Sequence, residues 1–174
     1  MTTMPTRPRV TAEQIAAFLA AARDTIGELR FAWLATRSLD CGANARAVHV
    51  RPGRPSDDEW TRRFLVRRES RKVAEMRAAP KVTLAYQHQS GDAYVALGGI
   101  ASLVDDLTEM RELWPAEMDA GFPPGFAEAH MMVTRLEVDR IELHVRGLTR
   151  EPFGHGRTMI QRDGTDGWRF IPDY

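Results

Sequence analysis

The sequence predicts a mainly β fold, an antiparallel β-barrel with peripheral helices. Three observations predict it. Short apolar runs of strand character outnumber helical segments. Their connections are short and carry the usual turn-formers Gly, Pro, Asp, Asn and Ser. The strand runs also do not alternate with helices, as a parallel α/β sheet would require.

The elements follow in chain order. Residues 1–9 have no periodicity and are expected to be loose. A helix then begins: Thr11 is placed to cap it, Gln14 completes a capping box, and Val10 can staple onto Ile15. Ile15, Phe18, Leu19, Ala22 and Ile26 share one face, so this helix covers something apolar. "RFAWLAT" (30–36) and "ARAVHVR" (45–51) flank the turn-forming "SLDCGAN" (38–44) and read as a hairpin. A polar loop (51–59) leads to a third strand, "WTRRFLVRR" (60–68). "SRKVAEMRAA" (70–79) is a short helix stopped by Pro80. "KVTLAYQ" (81–87) and "AYVALGGIASLV" (93–104) are two further strands. Gly98-Gly99 inside the second predicts a bulge or a close backbone approach.

"DDLTEMRELW" (105–114) reads as an acidic helix with a solvated face, followed by a long aromatic and proline loop (115–126). Residues 130–147 read as two closely spaced strands. "TMIQRDGTDGWRFIP" (158–172) reads as a final hairpin around Asp163-Gly164. No repeat or linker divides the chain. It reads as one domain, residues 1–174, with 148–174 as a C-terminal hairpin extension.

Composition sets the broad class. Hydrophobic residues are 43% of the chain, enough for a core, and the formal net charge is zero. General attraction to nucleic acid or a membrane surface is not expected. Cys41 is the sole cysteine, so no internal disulfide forms and a reducing setting is favoured. No signal core is present, and no apolar run reaches ~18 residues. A soluble, cytoplasmic protein is expected. The histidines show no zinc spacing.

One stretch breaks the even distribution of charge. In "RRESRKVAEM" (67–76), Arg67, Arg68, Arg71 and Lys72 fall within six positions, and Arg62 and Arg63 stand just upstream. Only Glu69 answers them locally. With Ser70 as N-cap, Arg71 and Lys72 open a helix whose free N–H groups carry roughly half a positive charge. Cations there are unfavourable unless an anion joins them. A phosphate would accept from the N–H groups, from the Ser70 hydroxyl and from both side chains. The competing reading is a surface helix whose cations face water and pair with Glu69 and Glu75.

"SRK" at the start of a short helix, between a strand and a proline-stopped turn, does not stand alone. With "RAVHVR" (46–51), "YVALGG" (94–99), and "ELW" (112–114) followed by "GFPPG" (121–125), it resembles the pyridoxamine 5'-phosphate oxidase-like family of FMN-binding split β-barrels. The last two motifs resemble its general stress protein branch. The resemblance covers roughly residues 10 to 147 and implies FMN bound at a homodimer interface. By matching position, Arg46, Ser70, Arg71 and Lys72 would hold the phosphate. Ala47, Val48, His49 and Val50 would line the isoalloxazine, with Leu65 and Val66 beside it. Tyr94 and Trp114 would reach it from the neighbouring subunit. Arg46 ranks above Arg51, because the two point to opposite faces of a regular strand.

The implied function is an FMN-dependent oxidoreductase with a transient NAD(P)H donor. A flavin-binding stress protein without turnover is the alternative, and FAD in place of FMN stays open. No catalytic residue and no metal ligand is assigned. Residues 148–174 lack the Arg-Leu-His-Asp-Arg type motif of true pyridoxamine phosphate oxidases, which argues against vitamin B6 oxidation. His144 stands where the stress-protein branch often has Trp, and reads as a core or edge histidine.

Overall fold

Nine strands form one antiparallel sheet whose two edges are successive in the chain. The computed structural model describes residues 10–40, 42–88, 92–152, 156–164 and 167–172. The expectations for residues 1–9, Cys41 and His155 lie outside the described residues. The elements are α1 (Ala12–Gly27), β1 (Phe31–Arg37), β2 (Ala43–His49), β3 (Arg51–Pro52), β4 (Arg62–Arg67), α2 (Arg71–Ala78) and β5 (Lys81–His88). They continue as β6 (Ala93–Val104), α3 (Leu107–Leu113), a 3₁₀ turn (Ala116–Ala120), α4 (Phe126–His130), β7 (Met131–Val145), β8 (Thr158–Asp163) and β9 (Gly167–Ile171).

The strand order is β2-β1-β5-β6-β7-β4-β3, with β8 and β9 added beside β7. Only Val50 separates β2 from β3, so the chain itself draws the sheet's two edges together. The predicted strand 45–51 therefore breaks at Val50. Its first part pairs with β1, and Arg51–Pro52 pairs with β4 across the gap. Leu34, Leu84, Leu97, Leu136 and Ile141 fill the interior with essentially no exposure. Helix α1 covers it as expected. Thr11 and Gln14 form the capping box, and Phe18, Ala22 and Ile26 enter the core. Burying a Phe or Ile side chain stabilises by roughly 1.5–3 kcal/mol.

Residues 130–147 form one long strand rather than two. Burial alternates through Leu136 and Val138, then changes phase to Ile141 and Leu143. The cause is a bulge: Gly98 faces Arg140 but Gly99 faces Val138, leaving Asp139 as the extra residue. The phase change imitates a strand boundary in sequence. It also lets β7 pair with β4 by its first half and with β8 by its second.

Gly99 makes that bulge possible. A Cβ built there would lie 2.0 Å from the Glu137 carbonyl oxygen, whereas one at Gly98 would meet only the Arg140 side chain, at 2.9 Å. Gly99→Ala is expected to cost about 1–3 kcal/mol or more in urea unfolding, and Gly98→Ala clearly less. Equal costs would contradict this account of the bulge.

The C-terminal hairpin docks on the same barrel. Trp168 meets the fully buried Trp60 edge-on at 5.9 Å, Phe170 packs against the core, and Arg162 pairs with Asp58. Among the described residues no helix is long and apolar enough to cross a membrane.

Candidate functional site

The basic stretch is sorted by the fold into separate destinations. Arg62 turns inward to the barrel mouth, where it donates to the carbonyls of Glu59 and Thr61 at 2.8 Å. Arg63 faces α3 and pairs with Glu109 and Glu112. Arg68 binds Asp105 bidentately at 2.5–2.6 Å. Arg71 is largely exposed, with its Nε 3.4 Å from Glu75. Arg67 and Lys72 have no carboxylate partner among the described residues. Glu69 answers none of them, whereas Glu75 answers two arginines from the same helix and from β2.

Glu75 organises this end of the barrel. Its side chain has no solvent exposure. It accepts from the Thr36 hydroxyl (2.6 Å), the Asn44 amide (2.5 Å) and Arg46 (2.8 Å). Burial pulls its carboxyl upward. The bonds from Thr36, Arg46 and Asn44 together outweigh that pull and hold it below the ordinary carboxylate range. Arg46 also donates to the Thr36 hydroxyl and to the Asn44 carbonyl. The carboxylate is α2's contribution to fixing a cation of β2.

Lys72 lies beside this network and is half-buried. Burial holds its ammonium below the ordinary lysine range, and the nearby charges of Arg46 and Arg67 add to the effect. Three cations thus converge at the start of α2, and the one carboxylate among them is saturated. Ser70 occupies the N-cap position, but its hydroxyl donates to the Arg67 carbonyl at 2.7 Å and no side chain caps the helix. The donor set left here matches a phosphate: Lys72, Arg67, whose guanidinium lies over the Phe126 ring at 5.9 Å, and an uncapped helix start. Arg67 was visible in the stretch without an assigned role. Its proximity to Lys72 depends on how β4 delivers the chain into α2, which spacing alone does not reveal.

Several expected ligand-lining residues point elsewhere. Val48, Val50 and Val66 send their side chains into the barrel core, so only their backbone can face a ligand there. Leu65 packs instead under α3 and α4. Ala47 and His49 do face outward, and His49 stacks obliquely on Phe31 at 5.3 Å. Tyr94 lies on the same outer face, 6.3 Å from His144, which contacts the Thr149 hydroxyl at 3.0 Å. Trp114 is a correction: at 8% exposure it is buried in its own subunit. Its indole N–H donates to Asp119, and its ring packs with Phe122 and Phe126. A second correction concerns α3, whose face is not wholly solvated. Glu109 is buried between Arg63 and Arg135.

Among the described residues no cluster of His, Cys, Asp and Glu could hold a metal ion. No curated protein matches the chain. Solved structures do. A protein related to general stress protein 26, from Clostridium acetobutylicum, superposes with a TM-score of 0.65 at 14% identity, covering 83% of this chain and 94% of its own. A pyridoxamine 5'-phosphate oxidase-related, FMN-binding protein from Nostoc punctiforme gives 0.61 at 16% identity over 100% of both chains. PhzG from Burkholderia lata, solved with tetrahydrophenazine-1-carboxylic acid, gives 0.64 at 17% identity, covering 99% and 97%. At such identities these likenesses establish the split-barrel fold alone. The sequence carries the relationship further. Residues 19–145, from within α1 to the end of β7 and spanning Arg46, Arg67 and Lys72, match as a unit. The chain belongs to the pyridoxamine 5'-phosphate oxidase like family.

Proposed function

We propose that this protein binds FMN, with the phosphate at the start of α2, and acts as an FMN-dependent oxidoreductase in a homodimer. The observation that carries the reading is the unanswered charge: Arg46 and Arg67 crowd Lys72, and among the described residues neither Lys72 nor Arg67 has a carboxylate partner. Arg46, Arg71, Lys72 and the uncapped helix start would hold the phosphate, joined by Arg67. Flavin supplies two-electron redox chemistry when bound. The chain's own part is to orient the ring along β2, where Ala47 and His49 face outward. Family membership and the FMN-binding Nostoc structure support the cofactor. A nicotinamide nucleotide is the proposed transient donor.

The proposed dimer seam is the outer face of β1, β2, β5 and β6. Phe31 and Trp33 stand there 58% and 56% exposed. Register places Ala45, Ala47, Ala85 and Ala96 around them, small residues that permit close approach. Exposed aromatics on a flat alanine surface are the pattern of a covered face.

Purified protein is expected to show flavin absorption bands, with about one FMN per subunit. It should run as a dimer in light scattering, and Trp33→Arg should shift it towards monomer. Colourless protein whose melting temperature does not respond to added FMN would overturn the cofactor assignment. A second reading, flavin binding without turnover, draws on the C-terminal hairpin, whose Trp168 and Phe170 are committed to the chain's own barrel. Anaerobic mixing with NADPH or NADH separates the two, since turnover requires the flavin band to bleach.

A further inference from the structure

We propose that the outer face of the sheet carries a phosphate site of its own, in a cleft of about 250 Å³ spanning β5 to β8. It takes inorganic phosphate or a small phosphate ester. Lys81, Thr83, Arg140 and Gln161 line it, with Asp139 and Met159 beside them. The proposal does not rest on the flavin reading.

Register assembles the site. Thr83 on β5 stands opposite Gly98 on β6, Gly98 opposite Arg140 on β7, and Arg140 opposite Gln161 on β8. Directly opposed residues share a face. Their chain neighbours Leu84, Leu97, Ile141 and Ile160 point into the core, so this row points outward. Lys81 lies two residues before Thr83 on the same face, about 7 Å away. Gly98 is the gap in the row. A Cβ there would lie 2.9 Å from one terminal nitrogen of Arg140 and 3.0 Å from its Nε. The guanidinium is therefore seated on bare glycine backbone, over β6 and on the side of Thr83.

Nothing in the chain answers it. Among the described residues Lys81, Thr83, Arg140 and Gln161 have no side-chain hydrogen bond and no ion pair. Asp139, the one acid of the lining, pairs with neither cation. Glu142, next on the outer face of β7, is engaged by Arg157 at 3.9 Å. Two cations, a hydroxyl and an amide thus share one cleft with all their donors unspent. A planar carboxylate is saturated by a single guanidinium fork. A tetrahedral phosphate keeps oxygens for the ammonium, the hydroxyl and the amide as well, which is the donor set this cleft offers. Its volume is below the range of drug-sized pockets, so the ligand is a phosphate with at most a small substituent.

The site is separate from the cations at α2. β7 is four strands from β2 in the sheet order, roughly 19 Å at ~4.8 Å per strand. Arg46 also turns to the other face, onto Glu75.

The test titrates FMN-saturated protein with inorganic phosphate, phenyl phosphate and benzoate. Chloride holds the ionic strength constant, and calorimetry reads the binding. At least one phosphate should bind saturably at one site per chain, threefold or more tighter than benzoate. Tighter inorganic phosphate identifies a free ion as the ligand, and tighter phenyl phosphate an ester. Lys81→Gln with Arg140→Gln, both at exposed positions, should weaken that binding tenfold or more while FMN affinity stays within twofold. Gly98→Ala changes no charge, yet should weaken it threefold or more by displacing the guanidinium from its seat. Diffuse attraction to a basic surface would not register that change. No saturable binding above chloride, benzoate binding as tightly as the phosphates, or indifference to either variant would overturn the proposal. If the wild-type protein takes up no FMN, the flavin reading fails by itself. The same titration of flavin-free protein then compares the double variant with Lys72→Met. Loss in the double variant supports the outer site, and loss confined to Lys72→Met refutes it.

Discussion

Lys72→Met is expected to weaken FMN binding about 10- to 100-fold while raising the melting temperature of the flavin-free protein. The binding loss follows from removing one charge-assisted bond to phosphate, about 1.5–3 kcal/mol, at 1.4 kcal/mol per factor of ten. The stability gain follows from the position of Lys72. It is half-buried, beside Arg46 and Arg67, and its ammonium is held below its ordinary range. A lysine depressed on folding binds fewer protons folded than unfolded, so stability rises with pH between the folded value and the unfolded one of about 10.4. Below that window the charge opposes folding, and methionine removes the opposition without losing the stem's packing. Calorimetry without FMN should show the variant ahead at pH 7, with its lead narrowing as pH climbs through the alkaline window. Wild-type FMN affinity should weaken over the same window, because the protonated amine is the binding form. A variant with unchanged FMN affinity, or a lower melting temperature, would remove Lys72 from the site. Opposite signs for stability and affinity are the mark of a group kept for its ligand.

The fold was largely legible because its local signals agree with one another. Thr11 with Gln14, Gly98-Gly99 and Asp163-Gly164 mark a cap, a bulge and a hairpin by short-range chemistry, and each stands where spacing puts it. The bulge itself was legible on β6 but not on β7. Asp139 has no turn residue beside it to mark the phase change, so one strand resembled two. The site was legible as a concentration of charge and only in part as an arrangement. Nothing near position 75 in sequence marks Glu75 as buried, because the groups that bury it, Thr36, Asn44 and Arg46, lie some thirty to forty positions upstream.

Glu75→Ala is expected to cost about 3–5 kcal/mol of stability, the penalty for leaving one member of a buried ion pair uncompensated. The change strands the Arg46 guanidinium, the Asn44 amide and the Thr36 hydroxyl together. Glu75→Gln keeps the volume and one acceptor, so its cost should be smaller. Because the carboxyl is held below its ordinary value, its stabilisation is complete above the unfolded pKa of about 4.3 and is lost as pH falls through the folded one. Wild-type protein should therefore lose its advantage over Glu75→Gln in acid. Binding makes the sharper discrimination. Within the proposed site, carboxylate and phosphate are rival partners for Arg46, and removing the first leaves the second a larger share of that cation's interaction. Saturating FMN should then raise the melting temperature of Glu75→Gln by more than it raises wild type, even though the variant starts lower. A smaller rise would mean that Glu75 aims Arg46 at the phosphate instead of competing for it. No difference at all would separate Arg46 from the anion altogether, leaving Lys72 and Arg67 to hold it.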